Sequence, residues 1–206
     1  MSENFIPKNV FGKFMHITDT QWKLPSKKSL VFFLGAGFCP YCATQRWAIV
    51  EALKNFGQWN NLVEERSASV EEKFVNVPTF SFAKATFESE LIEFIGRETA
   101  DRNFDPLQEL NIDDQNILDV YNPDNMIPFL LIDGQYMRFG SSIKPELLQN
   151  IGHDTVRNEI SLEKSEIGKM IREETKNITT LICKCVSDKS DICKSMEIIE
   201  KRNEIN

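Results

Sequence analysis

The sequence contains no apolar run long enough to cross a membrane. The longest one covers only residues 30–38 and includes two glycines, whereas a membrane-spanning helix needs about 20 apolar residues. The N-terminus also lacks a signal-peptide pattern, in which a positively charged start precedes about 7–15 apolar residues. We therefore expect a cytoplasmic protein without a membrane partner.

The chain also has fewer positively than negatively charged residues. The chain has 24 Lys and Arg against 31 Asp and Glu, which gives a formal net charge of −7. Nucleic-acid binding depends on clustered Lys and Arg that neutralise phosphates, and no basic stripe is visible in the sequence. Histidine is scarce as well, since His16 and His153 are the only two. The composition therefore disfavours a nucleic-acid partner.

Cysteine is the residue type that stands out. The chain has five, which are Cys39, Cys42, Cys183, Cys185 and Cys193. In a reducing cytoplasm, paired cysteines usually indicate redox catalysis or metal binding. An odd number leaves at least one thiol unpaired within the chain.

The first two cysteines lie between a predicted strand and a predicted helix. Residues 30–34 are continuously apolar, as in a strand that is buried on both faces. After the glycine-containing residues 35–37, apolar side chains recur at helical spacing until Gly57. These apolar side chains are Ala43, Trp47, Val50 and Leu53. Cys39 and Cys42 therefore lie at the start of the helix.

A cysteine at the first turn of a helix is activated. Free backbone N–H groups and the positive end of the helix dipole both favour the thiolate, and such positions lower a cysteine pKa from about 8.5 to about 3.5–7.5. Pro40 suits the first helical position, where its missing N–H has no partner to lose. We predict that the catalytic residues are Cys39, which attacks, and Cys42, which resolves the mixed disulfide. Tyr41 carries no positive charge that would stabilise the thiolate strongly.

Other uses of this spacing remain open. Two cysteines separated by two residues also make half of a zinc site, and Cys183 with Cys185 would supply the other half. However, zinc-binding pairs usually lie on a β-turn, and the second pair is separated by one residue only. The pair could also be purely structural. A C-x-x-C pair beside a strand–helix unit favours redox chemistry.

A second motif follows at residues 126–139. Ile127 and Pro128 precede the apolar strand 129–132, and Asp133-Gly134 is a type I′ hairpin signal. Together with a cysteine pair after the first core strand, this order resembles the thioredoxin superfamily, in which a cis-proline precedes a strand that ends in a hairpin. The resemblance implies a cis Ile127–Pro128 bond beside the cysteines. It also implies that the substrate-binding residues are Pro40, Tyr41, Ile127 and Pro128.

The resemblance covers residues 30–151, with an insertion at about 61–115. The dipeptide between the two cysteines is similar to that of glutaredoxin, but the paired glycines and acidic residue of a glutathione site do not follow the hairpin. Residues 30–34 also contain no carboxylate. They therefore offer no match to the buried acid that helps to deprotonate the resolving thiol of thioredoxin.

More specifically, the chain resembles a group of uncharacterised thioredoxin-like proteins from thermoacidophilic archaea. The matching segments are residues 38–43 with 46–48, then 77–82 and 181–183, the last followed ten residues later by Cys193. We expect Cys183 and Cys193 to form a structural disulfide between a long helix at 162–181 and a short one at 192–201. The alternative is a shuttle in which Cys183 and Cys185 pass electrons to the first pair.

These patterns predict an α/β (α+β) fold of thioredoxin-like type with a mixed central sheet. Residues 1–29 form an N-terminal arm, and residues 152–206 form a helical extension packed on the same domain. Residues 79–82 alternate as a strand does, residues 91–95 fit either a strand or a helix, and 113–121 and 144–151 are predicted helices.

The predicted function is a protein disulfide oxidoreductase. It requires no cofactor beyond its own redox-active disulfide, and its partners are protein thiols or disulfides and a recycling reductase. Two alternatives remain, which are a non-catalytic thioredoxin-like binding module and a zinc-binding protein. Rapid alkylation of one cysteine below neutral pH would favour the redox hypothesis over the zinc-site hypothesis.

Overall fold

The computed structural model describes residues 8–10, 12–17, 27–187 and 189–205. The strands within these ranges are β1 Lys8–Asn9, β2 Met15–His16, β3 Ser29–Gly35, β4 Gln58–Asn60, β5 Val63–Arg66, β6 Pro78–Ser81, β7 Thr86–Glu88, β8 Ile92–Glu98, β9 Phe129–Ile132 and β10 Tyr136–Phe139. The helices are α1 Pro40–Leu53, α2 Ile112–Tyr121, α3 Pro145–Leu148, α4 His153–Ser161, α5 Glu166–Cys185 and α6 Met196–Asn203, with a 3₁₀ turn at Asp191–Lys194.

Six strands form a mixed central sheet in the order β1-β2-β10-β9-β3-β8. β3 is parallel to β8 and antiparallel to β9, and β9 and β10 form an antiparallel hairpin. Asp133 and Gly134 connect them with positive φ angles of 53° and 66°, as a type I′ turn requires. This sheet confirms the predicted fold class.

β3 is buried along its whole length because both faces of the sheet are covered. Val31 and Phe33 pack into the core that contains α1 and the C-terminal helices. Leu30, Phe32 and Leu34 pack into a second core, which contains residues of α2. The continuous apolar run in the sequence reflects these two cores.

The region between α1 and β8 forms two small antiparallel sheets, β4 with β7 and β5 with β6. We call residues 58–88 the insert sheets. The ring of Trp59 stacks on Phe82 at 5.3 Å between ring centroids, which ties the two small sheets together. β8 follows them, and its pairing with β3 along seven residues decides that the ambiguous segment 91–95 is strand.

The C-terminal helices differ from the predicted ones. The helix expected at 144–151 is reduced to α3, because the backbone of Gln149 is already extended, with ψ 127°, and Asn150 follows with a left-handed φ of 63°. The long helix is α5, which begins four residues later than predicted because the Ser165 hydroxyl caps it by accepting the N–H of Gly168 at 2.9 Å. α4 was not predicted, and the last helix is divided at Ser195 into a 3₁₀ turn and α6.

The predicted N-terminal arm contributes β1 and β2 to the edge of the sheet. Residues 18–26 of that arm lie outside the described residues. α5 packs against α1, so the helical C-terminal region lies against the same core. The division into arm, domain and extension stays a prediction. None of the described helices is both long enough and apolar enough to cross a membrane.

Candidate redox site

Cys39 occupies the N-cap position of α1. Its backbone is extended, with φ −71° and ψ 118°, and its sulfur accepts the backbone N–H of Cys42 at 3.2 Å. Its carbonyl oxygen accepts the N–H of Ala43 at 3.0 Å, which is the first bond of the helix. Pro40 takes the first helical position. The Cys39 sulfur therefore lies where unpaired helix N–H groups stabilise negative charge.

The loop before Cys39 requires two glycines for close approach. A Cβ atom at Gly35 would lie 2.7 Å from the Phe33 ring and 3.3 Å from the Cys42 sulfur. A Cβ atom at Gly37 would lie 2.8 Å from the backbone of Asp101. The absence of these side chains lets the Cys42 sulfur lie against the end of β3 and lets the loop after β8 approach the cysteine pair.

The two thiols differ strongly in acidity. A hydrogen bond from the Cys42 thiol lowers the pKa of Cys39, and backbone N–H groups and the charge of Arg46 lower it further, although burial opposes them. Burial raises the pKa of Cys42 well above its usual value, and the neighbouring Cys39 sulfur adds to this effect. Both cysteines are free thiols in this structure. The pair can therefore present one thiolate and one protonated thiol.

Arg46 is a functional candidate that the sequence analysis missed. It lies one helical turn beyond Cys42, is fully buried, and its Nε lies 3.0 Å from Oε1 of Glu98. Its Nη2 donates to the carbonyl of Ala36 at 3.0 Å, in the loop that leads to Cys39. The i+4 spacing from Cys42 was the available signal for Arg46. Glu98 lies on β8, far from the cysteines in sequence, and had no such signal.

The Ile127–Pro128 peptide bond is cis, as predicted. Leu34 of β3 pairs with Phe129 of β9, so the antiparallel register places Pro128 beside Gly35, whose Cβ position lies against the Cys42 sulfur. The structure thus brings Pro128 and the cysteine pair to the same end of the sheet.

Aromatic side chains surround the start of α1. Tyr41 is 43% exposed and meets the edge of Phe74 at a centroid distance of 6.2 Å. Phe38, which precedes Cys39, stacks on Phe104 at 4.5 Å, and Phe104 is itself 37% exposed. Cys39, which lies between Phe38 and Tyr41 in the chain, is itself only 7% exposed.

The C-terminal cysteines form the predicted disulfide. Cys183 near the end of α5 is bonded to Cys193 in the 3₁₀ turn, and both are buried. Cys185 is a free thiol, and burial together with Asp133 raises its pKa. A raised pKa leaves little thiolate for exchange, which argues against the shuttle.

The zinc alternative loses one of its four ligands in this arrangement, because the Cys183 sulfur is already bonded to Cys193. Within the described ranges, no group of three or more His, Cys, Asp or Glu side chains is placed to hold a metal ion.

Comparisons with known proteins place the chain in a family without adding an activity. No curated protein and no solved structure matches it significantly. The family model described as "Domain of unknown function (DUF929)" matches residues 13–184, which include the cysteine pair, the central sheet from β3 onward and nearly all of α5. The chain therefore belongs to the DUF929 family.

Proposed function

We propose that this protein is a thiol–disulfide oxidoreductase that acts on protein disulfides through Cys39 and Cys42. The observation that carries the proposal is the asymmetry of the pair. Cys39 accepts a helix N–H and has a lowered pKa, whereas Cys42 is fully buried and has a raised one. Attack needs a thiolate at an accessible position, and resolution needs a second thiol within one turn.

The reaction proceeds in two exchanges. The Cys39 thiolate attacks one sulfur of a substrate disulfide, the substrate S–S bond breaks, and the released substrate thiolate takes up a proton. Cys42 then loses its proton and attacks the Cys39 sulfur, which forms the Cys39–Cys42 disulfide and releases the second substrate thiol. Two electrons pass from the protein to the substrate. A reductase that donates thiol electrons must restore the dithiol, and the reverse sequence oxidises a substrate.

The arrangement of the sheet supports placement in the thioredoxin superfamily, close to the archaeal thioredoxin-like group. The strand before the cysteine pair runs parallel to β8 and antiparallel to a hairpin strand that Pro128 precedes. In that superfamily the residue before the proline contacts the substrate through its backbone. We assign this contact to Ile127, and assign Pro40, Tyr41 and Pro128 to the surrounding surface.

The exposed aromatic rings favour a protein as substrate. Tyr41 and Phe104 expose apolar area. Tyr41 is two residues from Cys39, and Phe104 stacks on Phe38, which precedes Cys39. Aromatic residues are enriched where proteins bind each other. A substrate loop that carries a disulfide between apolar residues would cover both rings as it reaches the Cys39 sulfur.

The test is reduction of insulin disulfides with dithiothreitol as electron donor. Cys39→Ser should abolish the catalysed rate, because it removes the attacking sulfur. Cys42→Ser, reduced beforehand and mixed with insulin without dithiothreitol, should trap a mixed disulfide that a non-reducing gel detects, because no second thiol is present to resolve it.

Cys185→Ser is the matched control, since it removes a free thiol outside the site and should keep the full rate. Trapping by Cys39→Ser instead of Cys42→Ser would reverse the two roles. A wild-type chain that binds reduced and oxidised protein ligands but catalyses no exchange would identify a binding module and refute the proposal.

A further inference from the structure

Arg46 brings a buried positive charge to the loop that carries the cysteines. Its guanidinium carbon lies 5.5 Å from the ring centroid of Phe33 and 5.9 Å from that of Phe82, so apolar rings surround it. Nη2 donates to the Ala36 carbonyl, while Nη1 has no hydrogen-bond partner among the described residues. Charges in such a poorly solvated position act on their neighbours more strongly than charges in water.

Glu98 fixes where that charge lies. It ends β8, directly opposite Gly35 in the parallel pairing with β3. Its Oε1 accepts the backbone N–H of Phe82 at 2.7 Å, and its Oε2 accepts the hydroxyl of Ser81 at 2.9 Å. Its contact with Arg46 Nε is a 3.0 Å ion pair without hydrogen-bond geometry. The end of β6 therefore holds the carboxylate, and the carboxylate holds the guanidinium.

We propose that Arg46 and Glu98 form a positioning pair that sets the reactivity of the Cys39 and Cys42 thiols. Arg46 stabilises negative charge on the sulfurs, and Glu98 limits this effect by orienting and partly neutralising the guanidinium. The insert sheets are thereby coupled to the redox centre through Ser81 and Phe82. The inference rests on the proposed function, since it concerns how strongly that same site reacts.

The direction of the electrostatic effects agrees with this arrangement. The charge of Arg46 lowers the pKa of Cys39 and also acts to lower that of Cys42.

Arg46 and Glu98 line a cavity of about 410 Å³. The other charged residues that line it are Glu65, Arg66, Lys84, Asp101 and Arg102. On the far side of α1, the charged groups are Arg138 and Glu174.

A second buried ion pair provides a matched control. Arg138 and Glu174 are as deeply buried as Arg46 and Glu98, and Glu174 also accepts from Gln45 of α1 at 3.1 Å. Neither residue is among the groups that shift the pKa of Cys39 or Cys42. Substitutions in this pair should therefore affect stability but not the thiols.

The experiment measures the pH midpoint of alkylation at Cys39 in the reduced full-length chain, with Cys185→Ser as the background. Glu98→Gln should move the midpoint to lower pH, because Arg46 loses its counter-charge. Arg46→Met should move it to higher pH, because the positive charge is removed. We expect each shift to be about half a pH unit or more. Arg138→Met and Glu174→Gln should leave the midpoint unchanged while they lower the melting temperature.

A purely structural role would predict a different result. Shifts of the two midpoints in the same direction, or an unchanged midpoint in folded Glu98→Gln, would overturn the inference. Glu98→Gln keeps the shape of the side chain and decides the matter alone if Arg46→Met does not fold. Alkylation requires no disulfide exchange. If the wild-type chain does not reduce insulin, the proposed function is therefore refuted, whereas the pH midpoints of Cys39 alkylation are unaffected by that result.

Discussion

At the scale of single residues, Cys39 and Cys42 differ in their access to water and to helix N–H groups. Cys39 is 7% exposed and its sulfur accepts a backbone N–H, while Cys42 has no exposed surface. A small alkylating reagent can therefore reach one sulfur and not the other. Their different acidities reinforce this difference in access.

We expect iodoacetamide to modify Cys39 alone in the reduced chain. The thiolate is the reacting form. Because the pKa of Cys39 is lowered, the rate should rise as the pH increases through that lowered value and level off above it. The raised pKa of Cys42 keeps it protonated over the same range. Mass spectrometry after timed exposure over a series of pH values measures the rate and the modified residue.

The Cys185→Ser variant serves as a control and should still gain one alkyl group at the same rate. The assignment fails if Cys42 reacts first, or if the midpoint lies at the value of about 8.5 for an unperturbed thiol.

The sequence allowed the cysteine pair and Pro128 to be predicted because each lies in a short local pattern next to a buried strand. Arg46 and Glu98 could not be predicted as a pair, since they meet only when β8 aligns with β3. Helical periodicity alone also misplaces Arg46. The polar residues between Ala43 and Trp47 would face solvent in an amphipathic helix, yet all of them are buried.

At the scale of secondary-structure elements, strands with continuous apolar runs were predictable and helix ends were not. The apolar run at 30–34 fits a strand that is covered on both faces, and β3 is buried along its whole length in this way. α4 contributes a single buried residue, Val156, and its sequence is mostly polar, so few apolar side chains marked it as a helix. The start of α5 depends on the Ser165 cap, one of several polar residues that could have started a helix there.

The disulfide between α5 and the 3₁₀ turn is expected to stabilise the fold without affecting catalysis. Cross-linking a loop of this length lowers the entropy of the unfolded chain, which raises the free energy of unfolding by about 2–3 kcal/mol. The double substitution Cys183→Ala and Cys193→Ala should therefore lower the melting temperature by about 5–10 °C for a chain of this size. The rate at Cys39 should remain close to the wild-type rate. Differential scanning calorimetry measures the melting temperature, and insulin reduction under single-turnover and multiple-turnover conditions measures the activity.

The shuttle hypothesis predicts the opposite for this variant. Multiple-turnover activity would fall while the melting temperature stayed constant, because the lost sulfurs would carry electrons and not stability. If the disulfide is structural, Cys185→Ser should change neither quantity, whereas the shuttle uses Cys185 and predicts that this variant also loses multiple-turnover activity.

At the scale of the whole molecule, α1 lies at the centre of the fold. One hydrophobic cluster extends from Phe14 through α1 to Ile198 of α6. The buried pair of Arg138 and Glu174 joins β10 to α5, and Gln45 connects that pair to α1. The C-terminal helices therefore share their interior with the central sheet, although their own sequence is strongly charged.

We expect the chain to unfold in one transition. The chain has three tryptophans. Trp22 lies outside the described residues, and the fluorescence of the other two reports on α1 through Trp47 and on the insert sheets through Trp59. Far-ultraviolet circular dichroism is dominated by the helices, including the long α5. The midpoints of guanidinium unfolding measured by the two methods should coincide because the shared core makes folding cooperative.

Glu174→Gln should lower both midpoints equally, since it weakens the connection between α1 and α5. Two separate transitions, with the loss of helix first, would show that the C-terminal helices fold as an independent unit.

The polar residues at the start of α1 have a consequence for how this sequence can diverge over evolutionary time. Thr44 donates to Ser141 at 3.0 Å, Gln45 donates to Glu174, and Arg46 pairs with Glu98. Each of these partners belongs to a different part of the chain. A change at one helix position leaves a buried group unsatisfied unless its distant partner changes too. Homologues should therefore exchange these residues as pairs, and the resulting covariation would preserve a record of the packing around the cysteines.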